Sequence, residues 1–83
     1  MKSTSAYRKV RRMSPYEECA GPFSDLAIED EGLVARVGNM DLILPLEIEP
    51  DLRSYLGKRI AILRTDIPDQ QYIIRRIAED LTN

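Results

Sequence analysis

The side chains with the most chemical reach in this chain are arginines. Arg64, Arg75 and Arg76, joined by Arg53, Lys58 and Arg59, crowd its second half. A guanidinium is planar and bonds two phosphate oxygens at once, which a lysine ammonium does not do. Set beside an aromatic such as Tyr72 or Tyr55, such groups hold single-stranded nucleic acid by backbone attraction and base stacking. The candidate nucleic-acid-binding set is therefore Lys58, Arg59, Arg64, Tyr72, Arg75 and Arg76. The competing reading is a solvated surface on which these cations pair with the chain's 14 acids, and exposed pairs contribute little energy.

Other chemistries are poorly provided for. With no His and a single Cys, Cys19, the chain lacks Ser-His and Cys-His nucleophilic systems and an internal disulfide. The same scarcity leaves no ligand set for zinc. Glu17 and Glu18 precede Cys19, and their charges raise a thiol's pKa, which works against a nucleophilic role. Glu29-Asp30-Glu31, and Asp66 and Asp69 around Pro68, lack the alternating spacing of a calcium loop and read as solvated turns. The four glycines, Gly21, Gly32, Gly38 and Gly57, are dispersed as turn residues and form no phosphate-cradling loop. No metal, no cofactor and no enzymatic activity are expected.

Charge becomes informative once it is divided along the 83 residues, because a formal net value of −2 hides segments of opposite sign. Residues 1–13 carry five basic groups and no acid, whereas residues 14–49 carry nine acids against Arg36 alone. Residues 50–77 return to an excess of cations, with six basic groups and three acids. The first segment offers little apolar area to offset backbone ordering, so residues 1–22 are expected to form a basic, disordered tail ahead of a domain over 23–83. No run is apolar enough to span a membrane, and the N-terminus lacks the apolar core of a signal peptide. A reducing, cytoplasmic location follows as the expectation.

Positioning the arginines falls to strands. Leu26 and Ile28 alternate with Asp25 and Glu29, and the period of two continues through Leu33, Ala35 and Val37. Gly38-Asn39 between two alternating runs is a strong hairpin signal, after which Met40, Leu42, Leu44 and Leu46 share a face. Pro45 cannot donate to a ladder and belongs at an edge or bulge. Ile48, Leu52 and Leu56 instead recur every four residues, predicting a short helix over Asp51–Leu56 that Gly57 ends. Arg59–Arg64 and Gln71–Ile77 supply two more strands around a turn-rich loop.

The order strand, strand, strand, helix, strand, strand predicts a mainly β fold. Five short strands bury their faces and protect their edges best by curling into a small barrel. That element order resembles the OB-fold, a five-stranded Greek-key barrel with its helix between strands 3 and 4. A Tudor- or Sm-like barrel is the alternative. Two functional classes follow: a nucleic-acid-binding module, or a protein-interaction or assembly subunit, homodimeric or with another protein partner. The second is motivated by Val34, Ile43 and Ile73, apolar residues on faces predicted to point outward.

Overall fold

Alternating apolar residues do build strands here, and the computed structural model describes residues 10–78. The order is β1 (Val10–Arg12), β2 (Glu18–Glu29), β3 (Gly32–Val37) and β4 (Met40–Leu44), then a 3₁₀ turn (Leu46–Ile48) leading into helix α1 (Glu49–Arg53). β5 (Arg59–Arg64), a second 3₁₀ turn (Pro68–Gln70) and β6 (Tyr72–Arg76) follow. The strands form a six-stranded sheet in the order β1-β4-β3-β2-β5-β6. All pairings are antiparallel except that of β1 with β4.

The inner face follows from register. Leu33 pairs with Leu44, Ala35 with Leu42, Gly21 with Ile60 and Cys19 with Ile62, and directly opposite residues share a face. Apart from Gly21, which has no side chain, these residues form one buried cluster with Phe23, Val37 and Leu52. The outer face of the first hairpin carries Val34, Arg36, Asp41 and Ile43. Arg36 clasps the buried Asp41 carboxylate through Nε at 3.0 Å and Nη2 at 3.1 Å, a two-pronged pairing that raises the guanidinium's pKa.

Three expectations are corrected. Among the described residues no ladder joins the terminal strands β1 and β6, so the expected closed five-stranded barrel, OB-like or Tudor/Sm-like, gives way to an open six-stranded sheet. Residues 10–22, read as tail, supply β1 and the first half of β2, and bury Met13 (2% exposed) and Cys19 (6%). The remainder of that tail, residues 1–9, lies outside the described residues. The helix begins at Glu49, with Pro50 in its first turn and Leu52 buried as the expected plug, while Leu56 stays exposed. Turns 30–31 and 38–39 join the strands as their residues predict.

β2 is twelve residues long because it serves two partners. Glu18–Pro22 pair with β5, and the stretch from Phe23 to Glu29 pairs with β3, with a register shift between Phe23 and Asp25. Pro22 falls at this handover, where its missing N–H costs nothing, and its carbonyl accepts the Gly38 amide at 2.8 Å. Phe23 donates to the Lys58 carbonyl at 2.9 Å and accepts from the Gly57 amide at 2.8 Å. Gly21 makes the approach possible: its φ is +154°, and a Cβ there would lie 3.0 Å from the Gly38 backbone. Gly21→Ala is therefore expected to destabilise the chain by about 1–3 kcal/mol. Thermal melts check this, since each kcal/mol moves the midpoint by roughly 4–8 °C in a domain this small. A midpoint equal to that of the exposed control Ser24→Ala would show that the bend tolerates a side chain.

Candidate interaction surface

The late arginines sit where period-two alternation sends them. Ile60 pairs with Arg76, Ile62 with Ile74, and Arg64 with Tyr72, so Arg64, Tyr72 and Arg76 lie on the side of the sheet that holds the core. Ala61 pairs with Arg75 and Leu63 with Ile73, which puts Arg75 on the outer face together with Arg59. Lys58 is half-buried in the turn before β5, where its amide donates to the Tyr55 carbonyl at 2.9 Å. The six candidate residues thus occupy two faces and a turn, and no single basic face gathers them.

Arg64 is occupied within the fold. Its Nη1 donates to the Met13 carbonyl and to the Tyr72 hydroxyl oxygen, both at 3.2 Å, and Nε donates to the Thr65 carbonyl at 3.2 Å. The guanidinium carbon also stands 5.2 Å from the centroid of the Tyr72 ring. The side chain thereby ties the end of β5 to β6 and to the segment following β1, alongside the backbone bonds of Arg64 with Tyr16 and Glu17. Arg75 reaches over β5 to Glu18 at 3.2 Å, an exposed pair. Arg11 pairs with Glu17 and Arg53 with Glu49.

A groove opens instead between α1 and β6. Asp51, Ser54 and Tyr55 on one side and Tyr72 and Ile74 on the other enclose a depression of about 200 Å³. Past Tyr72 it continues into a pocket of about 380 Å³ with Glu47, Asp51 and Asp69 in its wall. A shallower region of about 540 Å³ extends to Asp30 and Glu31. Five carboxylates face this channel against two guanidinium groups, Arg12 and the already engaged Arg64. None of the five is in an ion pair with a described residue. The local field favours cations.

The groove runs beside a free sheet edge. Thr65 donates to the Gln71 carbonyl and Ile77 to the Arg59 carbonyl, both at 2.8 Å, which fixes odd-numbered residues from 71 to 77 as the ones bonded to β5. The amides and carbonyls of Tyr72, Ile74 and Arg76 therefore point away from β5, and no described residue bonds them. Ile73 is 40% exposed on the outer face, Ile43 is half-buried, and Val34, expected to be an outward contact, is 5% exposed. Cys19 is held above the usual thiol pKa chiefly by burial, with Glu18 adding and Arg11 opposing. Of the two carboxylates named from the sequence, Glu18 acts in the expected direction but is a smaller cause than burial.

Among the described residues no three His, Cys, Asp or Glu side chains converge as a metal site, and no helix is long and apolar enough to cross a membrane. No protein-family model matches the chain, and no curated protein or solved structure matches it either.

Sequence reasoning read Asp30, Glu31 and Asp69 as solvated turns and did not bring the groove's five acids together. They come from three separate turns and α1, and only the fold brings them to Tyr72. Arg64→Lys keeps the charge but not the fork, and Tyr72→Phe removes the acceptor oxygen. Each is expected to lower the unfolding free energy measured in urea, by about 1–3 kcal/mol for the arginine and about 1 kcal/mol for the tyrosine. The double variant should lose less than the sum. Strict additivity would show that the contact between them carries no energy.

Proposed function

We propose that this chain is a non-enzymatic binding module whose contacts are made with protein, in a reducing cytoplasmic setting. The observation that carries this reading is the unpaired edge of β6 lying beside an acidic groove. Outward amides and carbonyls at Tyr72, Ile74 and Arg76 are a ready template for another extended chain. A partly buried Tyr72 and Ile74 beside the edge add apolar contact, and Ile73 adds more on the opposite face. A free, buried Cys19 suits a compartment that keeps thiols reduced.

A second reading, nucleic-acid binding, is favoured by Arg59 and Arg75, exposed together on the outer face of adjacent strands. It requires Arg75 to exchange its Glu18 partner for a phosphate, a cheap exchange for an exposed pair.

Amide hydrogen exchange and NMR shifts at micromolar protein separate the two. An extended heptapeptide of alternating apolar and basic residues is expected to protect Tyr72, Ile74 and Arg76. A labelled single-stranded oligonucleotide is expected to leave those amides unchanged. Perturbation confined to the neighbourhood of Arg59 and Arg75 by the oligonucleotide, weakening at least about tenfold between roughly 50 and 200 mM salt, would replace the first reading with the second.

A further inference from the structure

We infer that β6 pairs with β6 of a second copy of this chain, antiparallel and centred on Ile74, joining two sheets about a twofold axis. The inference rests on the reading of β6 as a contact edge and names what occupies it.

Backbone parity selects the register. Only even-numbered residues of β6 present their amides and carbonyls outward, so a facing β6 must oppose even residues to even residues. Centring on Ile74 pairs Tyr72 with the second copy's Arg76, Ile74 with Ile74, and Arg76 with Tyr72, and every outward group on the strand is bonded. Sliding by one step toward Tyr72 leaves Arg76 without an opposite residue on the strand. Sliding the other way sets Arg75 against Arg75, a like-charge pair that disfavours the register. All of these antiparallel registers are self-complementary, as a twofold contact requires, and the one centred on Ile74 makes the most bonds.

Side chains agree with that choice. Directly opposite residues share a face, so the second copy's Arg76 enters on the inner side, where Tyr72, Ile74 and Asp51 line the groove. Arg76 is exposed and forms no ion pair with a described residue, and Asp51 likewise has none. In the pair, each cation meets a channel whose carboxylates outnumber its cations, with Glu47 and Asp69 just beyond Tyr72. On the outer face Ile73 meets the stem of the second copy's Arg75, covering apolar surface with the methylenes of a long side chain. A contact of one strand pair and two seated arginines belongs with the small, reversible interfaces, so a micromolar dissociation constant is expected.

Sedimentation equilibrium from low micromolar to near-millimolar concentration, with hydrogen exchange at both ends of the range, tests this. The chain should pass from monomer to dimer as the amides of Tyr72, Ile74 and Arg76 become protected together. Arg76→Glu should weaken the dimer by at least about tenfold, because it places an acid beside Asp51. Adding Asp51→Lys should restore it, whereas damage to the fold itself would not be repaired by that exchange. Thermal melts of both variants check that the monomer is intact. A monomer at every concentration, or a dimer with unprotected β6 amides, overturns the second-copy assignment. If an extended heptapeptide still protects those amides in the monomer, the contact-edge reading survives. If nothing protects them, both fall.

Discussion

The whole architecture depends on one strand having two different neighbours at its two ends. β2 gives the stretch from Phe23 to Glu29 to β3 and Glu18–Pro22 to β5, on opposite edges. This works only if the backbone bends sharply at residues 21–24 while its polar groups remain bonded. Gly21 allows the close passage against Gly38, Pro22 needs no donor there, and Phe23 anchors the bend in the core with its own N–H and C=O bound to the turn before β5. Burial of a phenyl ring at the pivot makes the hinge part of the core, so the two halves of the sheet are joined by packing as well as by covalent chain.

The bend also decides which edges remain. Backbone bonds between Arg64 and residues 16 and 17 carry the β2–β5 pairing on into the segment after β1, and the Arg64 side chain adds the Met13 carbonyl and the Tyr72 hydroxyl to that junction. A guanidinium can satisfy acceptors scattered over several segments, and β6, last in the strand order, stays unpaired on its outer side. The same curl brings α1, the Asp30-Glu31 turn and the loop before β6 around Tyr72, which explains why an acidic channel lies beside residues that a linear reading would treat as basic.

Much of the fold was legible from the residues. Hairpin turns at Gly38-Asn39 and Asp30-Glu31, the strand Arg59–Arg64 and the buried Leu52 all come from local signals, and local signals survive in one sequence. What escaped was non-local. Val-Arg-Arg of β1 has no apolar alternation, and its order comes from lying parallel to β4 with Met13 in the core. Cys19, Gly21 and Phe23 do alternate inward, but small side chains and a proline disguise the period. The candidate site failed differently. Arg64, Arg75 and Arg76 are close along the chain or across one strand pair, but alternation divides them between faces, and one of Arg64's acceptors, the Met13 carbonyl, lies 51 residues away.

Parallel pairing of β1 has a consequence for assembly order. Val10 must wait for Asp41, so the first of the described strands to be synthesised has no ladder to join until the hairpin turning at Gly38 is complete. Contacts between distant residues carry a loop-closure cost that local hairpins avoid. β1 is therefore a latch that can close only once its template exists, and its release would expose the flank of β4.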